Sequence, residues 1–455
     1  MRIGGDQALR TKAPTVSHSM CGLGARWCTQ ADRIFDVPDM HVLDVEVDDQ
    51  RRLVLTVESG QVEAACPRCG VMAIGHGRRV RVLHDAPCFG RVTLVRWLVR
   101  IWRCREPACP AGTFSEAHDL APPRTALTVR AVRWAVDALS YDDTTVSALA
   151  RHLGVDWHTA WDAIEVEAKA RVADPARLKN VKTLGVDEHI WRPSRIGVDR
   201  AVTIMVDLTR DQAGCLHARL LDAVVGRSGT VYKRWLKAQP DGFVDGVEQA
   251  ALDPFRGYAN AIHEGLPDAV AVLDAFHVVR LGTQVVDEVR RRVQQDTLGR
   301  RGHKNDPLYK IRGLLRHGVE HLTERQQAKI TACLDAGDPT AEVNVAWQCY
   351  QQLRSIYHAT PSTGREIAAK VLDSFHTCPI PEVARLGRTL RAWKAQVLAY
   401  FDTSGVSNGG TEAINLINEK VRRLAHGFRD FDHYRLRIML AADGRRPYRT
   451  RPNHA

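Results

Sequence analysis

Two sets of side chains in this sequence have the types and spacing that chemistry needs. The first set is acidic. Lys182-Thr-Leu-Gly-Val-Asp187-Glu188 ends a short β-prone run on a carboxylate pair, Val247 to Leu252 is followed by Asp253, and Asp268-Ala-Val-Ala-Val-Leu273 is followed by Asp274. Runs of this length and composition read as strands, and a strand end is a stiff place to hold a charge. The second set is four cysteines, Cys66-Pro-Arg-Cys69-Gly and Cys104-Arg-Glu-Pro-Ala-Cys109, with the strand-like Arg91 to Trp102 leading into the second pair. Two Pro-bearing knuckles with a β-hairpin between them suit one structural zinc ion, which wants four thiolates in a tetrahedron. Such a closed shell leaves no position for a substrate, so Cys88, His76 and His84 are read as bystanders and the site as a fold staple or docking element.

The elements that must carry these groups follow from periodicity. Around Asp187 the runs Lys182–Glu188, Ala201–Asp207 and Gly214–Leu221 predict two or three antiparallel strands. Then come a helix over Thr230–Ala238, a strand ending at Asp253, a helix, a strand ending at Asp274 and another helix. Earlier in the chain, alternation from Met40 through Val57 predicts a hairpin. Thr128–Ser140 has helical spacing, and Thr145 to Gly154 followed by an Asp156-capped helix reads as a helix-turn-helix. On its second helix His158, Thr159 and Asp162 are candidate base contacts, with Arg151 placed for phosphate.

Residues 285–400 are helical in period, with basic clusters at Arg290–Arg292, Arg300–Arg301 and Lys310–Arg316. Interleaved Tyr309, Trp347 and Tyr357 suggest a surface that cradles a nucleic-acid strand. A final helix opens at Ser407-Asn408-Gly-Gly-Thr411-Glu412, with Ile414, Ile417, Val421 and Leu424 on one stripe and Glu412, Asn415 and Glu419 on another face. By itself Glu412 is a first-turn acid favourable to the helix dipole.

Composition bounds the reading. The 455-residue chain predicts two to four domains, and 64 Lys+Arg against 53 Asp+Glu give a net charge of +11. Arginine dominates that excess, which favours a polyanionic partner. The absence of a membrane-length apolar run or secretory leader predicts a cytoplasmic, nucleoid-associated protein without a membrane partner. Eleven cysteines in a reducing compartment do not make a disulfide framework.

Taken together, Cys-Pro-x-Cys-Gly with a distant Arg-Cys-x4-Cys, a helix-turn-helix, Gly-Val-Asp187-Glu, Asp253-x3-Gly-Tyr-Ala-Asn-Ala-Ile, Asp274-Ala-Phe-His277, and Ser407-Asn-Gly-Gly-Thr-Glu412-Ala-Ile-Asn415 leading to Arg422-Arg-Leu-Ala-His-Gly427 resemble the ISL-three family of bacterial insertion-sequence transposases. The resemblance runs from about residue 40 to 445. With the residue-level reading it gives a multidomain α+β and α/β chain: a zinc-binding ribbon (36–120), a helix-turn-helix DNA-binding domain (121–172), a ribonuclease H-like core (181–284), an all-helical insertion (285–400) and the core's final helix (401–445), flanked outside the resemblance by a flexible extension (1–35) and a basic tail (446–455). Two departures stand out: Pro254 and Phe255 follow Asp253 where the family more often has small or hydroxyl residues, and the first thirty or so residues have no familiar counterpart.

The same resemblance implies the catalytic acids Asp187, Asp253 and Glu412, holding two Mg²⁺ or Mn²⁺ ions, with Asp274 and His277 as auxiliary residues and one structural Zn²⁺ on Cys66, Cys69, Cys104 and Cys109. Hard cations need oxygen ligands, and a pair of them neutralises charge on the attacking and leaving oxygens of a phosphodiester. Lys420, Arg422, Arg423 and Arg429, close in sequence to Glu412, are natural phosphate clamps. The implied partner is double-stranded DNA, both element ends and target, with a homodimer or higher assembly formed on it. A DNA-binding regulator with a dead core is the alternative, and a zinc hydrolase built on Glu188, His189, Asp274 and His277 fits no known helical spacing.

Overall fold

The computed structural model describes residues 29–193 and 200–445. The expected basic tail and most of the expected N-terminal extension lie outside the described residues. The chain divides into two compact units, one running to residue 138 and including 144–167, the other holding 139–143 and everything from 168 onward.

The first unit is built on a sheet. Helix α1 (Thr29–Phe35) precedes β1 (Met40–Val47), β2 (Leu53–Ser59), β3 (Ile74–Cys88), β4 (Arg91–Arg103) and β5 (Thr113–Ser115), which pair in the order β1-β2-β4-β3 with β5 added to β4. Alternate residues of these strands bury Val42, Val57, Leu83, Val95, Trp97 and Val99 in one core. Phe35 of α1 joins that core, so regular structure begins inside the segment expected to be a loose extension. Three helices follow: α2 (Val129–Tyr141), α3 (Val146–Leu153) and α4 (Trp157–Val172). The Thr145 side chain caps α3 by accepting from Ala148 N, and Gly154 ends it in the left-handed region at φ 70°. Asp156 then caps α4, its Oδ1 accepting from Thr159 N at 3.0 Å.

The second unit carries the other sheet. Its strands and helices run β6 (Thr183–Ile190), β7 (Ala201–Asp207), β8 (Arg219–Val225), α5 (Gly229–Lys237), α6 (Asp241–Val244), β9 (Gln249–Leu252), α7 (Arg256–Gly265), β10 (Val270–Leu273) and α8 (Ala275–Leu298). The sheet order is β10-β9-β6-β7-β8. Strands β6, β7 and β8 form an antiparallel meander, and β9 and β10 add to β6 in parallel. The third strand starts later than the sequence predicts. Asp211 Oδ1 accepts from the backbone N–H of both Ala213 and Cys215, which fixes a turn there and delays the strand to Arg219.

Helices cover both faces of this sheet, which is why β7 is buried at every position. Leu184, Val186 and Leu252 face a core shared with Tyr232, Tyr258 and Val278. Val202, Ile204 and Val206 face a second core completed by α15 (Gly409–Leu424) and α16 (Phe431–Ala441). Between α8 and α15 lie α9 (Pro307–Lys310), α10 (Glu324–Gly337), α11 (Glu342–His358), α12 (Pro361–Ser374), α13 (Pro381–Ala392) and α14 (Lys394–Asp402). Helix α8 begins at Ala275 and runs through the 284/285 boundary drawn from sequence.

Part of the basic clusters expected to form a strand-cradling surface in this helical region is used inside the protein, while Arg301, Lys304, Lys310 and Arg316 are exposed. Arg290 is buried, 4% exposed, against Asp287 and Gln294, and Arg292 ties α8 to Glu342 and Glu382. Arg300 pairs with Asp306 at 2.6 Å, Trp347 is buried, and the Arg312 guanidinium lies 3.9 Å over Tyr309. These charges hold helices together.

One contact governs how α15 meets the sheet. A Cβ on Gly185 of β6 would collide with the Thr411 hydroxyl and lie 2.7 Å from Leu208 Cδ1 and 2.8 Å from Asn408 Oδ1. Gly185→Ala is expected to lower stability by about 1–3 kcal/mol, because overpacked cores yield only by moving backbone. A thermal melt checks this, and an unchanged midpoint would mean that α15 is not seated there.

Candidate active site

The register of the second sheet sets up the acids. Val186 pairs with Leu252, and Leu252 pairs with Leu273. The next residue on each strand is an aspartate, so Asp187, Asp253 and Asp274 stand side by side at the end of the parallel pairings, with neighbouring strands about 4.8 Å apart. Asp187 does not end its own strand, contrary to the sequence reading. β6 continues to Ile190 against β7, because that antiparallel partner extends past the point where β9 stops.

Helix starts then lock the row. Asp274 caps α8, its Oδ2 accepting from His277 N at 3.1 Å. His277 Nδ1 lies 3.0 Å from Asp253 Oδ1 and 3.1 Å from Asp274 Oδ2. Asn408, fully buried before α15, donates its backbone N–H to Asp274 Oδ1 at 2.7 Å and its Nδ2 to Val186 O at 3.0 Å and to Asp253 Oδ1 at 3.3 Å. Seven residues on, Asn415 Nδ2 donates to Asp187 Oδ2 at 2.8 Å. Glu412 lies between these two asparagines on the first turn of α15.

The charges act on one another. Burial, and then the neighbouring Asp253 charge, push the Asp187 carboxyl up from 3.8 to about 7. Asp253 is likewise raised by burial. Burial of His277 opposes its charged form, but the hydrogen bond to Asp274 and the charge of Asp253 outweigh it and its pKa rises. Glu412 is raised by partial burial and by the charges of Asp274 and Asp253, with His277 acting the other way.

The raised Asp187 couples stability to pH. In the folded protein the carboxyl keeps a proton that the unfolded chain releases near its ordinary value of 3.8. The stability it contributes at low pH is therefore lost as pH rises toward 7. With metal absent, Asp187→Asn should raise the unfolding free energy at about pH 8 by on the order of 2 kcal/mol, and the gain should shrink toward about pH 5. Melts of the two proteins in chelator decide it; a variant less stable than the parent at pH 8 contradicts it.

The four cysteines also come together. Cys66 and Cys69 lie between β2 and β3, Cys104 and Cys109 between β4 and β5, and their sulfurs all fall within 4.8 Å of one another. Cys66 Sγ is 3.8 Å from Cys109 Sγ, and Cys69 Sγ is 3.4 Å from Cys104 Sγ. Backbone N–H groups of Arg68 and Cys69 pull the Cys66 thiol down to about 7, toward the thiolate that binds metal. His84 is outside this cluster: its Nδ1 lies 2.8 Å from Leu153 O, fixing α3 to the sheet. Among the described residues this is the one group of such ligands gathered so tightly. The acidic row is more open, as like charges are.

Other residues singled out from sequence are placed differently. Arg151, His158 and Asp162 are exposed, but the Thr159 hydroxyl donates to Asp156 Oδ2 at 2.6 Å and so belongs to the cap of α4. Arg422 and Arg423 both bond Glu419, lowering its pKa to about 2, Lys420 pairs with Asp143, and Arg429 is exposed. Asn408 escaped the sequence reading: it sat in a quoted motif, but nothing local signals that an asparagine will bridge three strands.

The family model DDE_Tnp_ISL3, described as Transposase, matches residues 184–438, more than half of the chain. The chain is 24% identical over 406 residues to the transposase for insertion sequence element IS1001 of Bordetella parapertussis, covering 87% of this chain and 93% of that protein. It is 24% identical over 447 residues to the transposase for IS1557 of Mycobacterium tuberculosis, covering 90% and 93%. Among solved structures, the Drosophila P element transposase strand transfer complex aligns with a TM-score of 0.40 and 10% identity over 69% of this chain and 92% of that one.

Proposed function

The chain belongs to the ISL3 family of insertion-sequence transposases, and on that premise we propose that it binds the terminal inverted repeats of its own element and catalyses metal-dependent phosphodiester hydrolysis and strand transfer. The observation that carries this reading is the row Asp187–Asp253–Asp274 just beyond the last paired rung, with Glu412 on the first turn of α15, where Asp274 and Asp253 raise its pKa. The strand order, a three-strand meander extended in parallel on its first strand, supports a ribonuclease H-like core.

The donors fit divalent cations. All are oxygens, buried carboxylates repel one another there, and Asn415 Oδ1 is buried without a partner among the described residues. Asp187, Asp253 and Glu412 would hold two Mg²⁺ or Mn²⁺ ions, which when bound supply neutralisation of the attacking and leaving oxygens. Asn415 orients Asp187 through Oδ2, and Asn408 fixes the Asp253 carboxylate by donating to Oδ1. His277 offsets part of the negative charge of the aspartate row, so that the row stays in place before substrate arrives. Target capture then uses the same site, with the freed 3′-hydroxyl in place of water. Arg429, with Arg422 and Arg423 once released from Glu419, would meet phosphate from the same segment.

The four thiols fit one zinc ion in number, donor type and spacing, and zinc there is a staple for the loops of the first unit. Helices α2 to α4, with Arg151 and His158 exposed, are the proposed helix-turn-helix reader of the repeats. Two ends must be joined, so the working form is a dimer or larger on DNA. Incubating the protein with labelled duplex carrying the element's ends and Mg²⁺ or Mn²⁺ tests the proposal. Metal-dependent strand cleavage at the ends supports it, and binding without cleavage leaves a regulator with an inactive core.

A further inference from the structure

Beside the aspartate row lies a cavity of about 590 Å³, lined among others by Glu188, His189, Arg192, Asn415, Leu416 and Arg422. We propose that this cavity receives a single unpaired nucleobase of the bound DNA, one step along the strand from the phosphodiester on which the acids act. The proposal deepens the function given above and rests on it.

Position is the first argument. His189 follows Asp187 by two residues on β6, so both side chains leave the same face of the sheet about 7 Å apart. Asn415 belongs to both places, since its Nδ2 holds Asp187 while the residue lines the cavity. A strand whose phosphate lies at the acids therefore passes the mouth of the cavity with its neighbouring nucleotide.

Unsatisfied polar atoms are the second argument. His189 is only 9% exposed, its ring stacks on Tyr434 at 6.2 Å and 12°, and its Nε2 has no partner among the described residues. Asn415 Oδ1 and Arg192 Nε are also buried and, among the described residues, without partners. Each such group is costly to leave bare. All three belong to residues that line the cavity, which supports a ligand with a hydrogen-bonding edge seated against them.

Charge and shape narrow the class. The two rim carboxylates are already engaged, Glu188 with Arg227 at 3.2 Å and Glu419 with Arg422 and Arg423. The Arg192 guanidinium lies 4.5 Å over the Trp191 ring, and Leu416 is 73% exposed on α15. The pocket thus offers donors, an acceptor and an apolar side, with positive charge at the rim for a backbone. That combination suits a flat base with a polar edge, and about 590 Å³ leaves room beside it for the attached sugar and phosphate. Leu416 is placed as the wedge that takes the vacated position in the stack, offsetting part of the few kcal/mol that unstacking costs.

The test uses the full-length protein and duplex DNA carrying the element's end, with 2-aminopurine placed in turn at each nucleotide flanking the cleaved phosphate and Ca²⁺ replacing Mg²⁺. Protein saturation is checked by mobility shift. We expect fluorescence to rise several-fold at one position with the parent protein. It should return toward the duplex value in His189→Phe, which keeps the ring on Tyr434 but removes Nε2, and in Leu416→Ala, which removes the wedge from an exposed position. No rise at any position in a formed complex, or a rise untouched by both variants, overturns the pocket. Cleavage of the unlabelled duplex in Mg²⁺ is scored in parallel: cleavage without a rise removes the pocket alone, a rise without cleavage keeps the pocket and removes the transposase reading, and failure to bind the DNA removes both.

Discussion

Asp187→Asn is expected to reduce metal-dependent cleavage of the element's ends by about a thousandfold or more while leaving end binding intact. The substitution keeps size and hydrogen-bonding reach, so Asn415 retains an oxygen to bond and α15 should stay seated. What is lost is one negative charge at the centre of the site, where burial and Asp253 already hold the carboxyl near 7. The same variant should be the more stable protein when metal is absent. Loss of activity with a gain in stability is the signature of charges held together for a ligand, and it separates a catalytic carboxylate from a merely structural one. If cleavage survived in Asp187→Asn, the acidic row would not be the chemical site.

Stripping zinc should have an effect of similar size in the other unit. A structural zinc site contributes on the order of 10 kcal/mol of binding free energy, which becomes ordering energy for the segments it joins. Those segments, 60–73 and 104–112, hold little regular structure beyond the single bridge Ala65↔Met72. The sheet beneath them has its own core around Val95, Trp97 and Leu83. Strong chelation, or Cys104→Ser, should therefore make these two loops sensitive to protease and weaken end binding, with β1 to β4 still folded by circular dichroism. Metal analysis should find one zinc per chain in the parent protein. Loops that stay protected after complete zinc removal would show that the cysteines are only packed.

The parts of this fold that could be read from sequence are those fixed by local pattern. Strands ending near Asp253 and Asp274, the knuckles around Cys66 and Cys104, and the cap at Asp156 all announce themselves within a few residues. Contacts made across long separations do not. Asn415 reaches Asp187 over 228 positions, and Asn408 reaches Val186 over 222, so their hydrogen bonds exist only once α15 has docked. Charge runs misled for the same reason: Arg290 and Arg292 look like a solvated or nucleic-acid-facing cluster until their partners at Asp287, Glu342 and Glu382 are in place. The site's acids were nameable because the resemblance selected them. Glu412 alone is an ordinary first-turn glutamate.

The central claim is that Asp187, Asp253 and Glu412 grip divalent ions together on DNA. Anomalous diffraction from crystals of the protein bound to an element end in Mn²⁺ tests it most directly. The account predicts two manganese peaks about 4 Å apart, each touching at least one of the three carboxylates, with all three used. Peaks that ignore Glu412, or no peak at the end of β9, would contradict it.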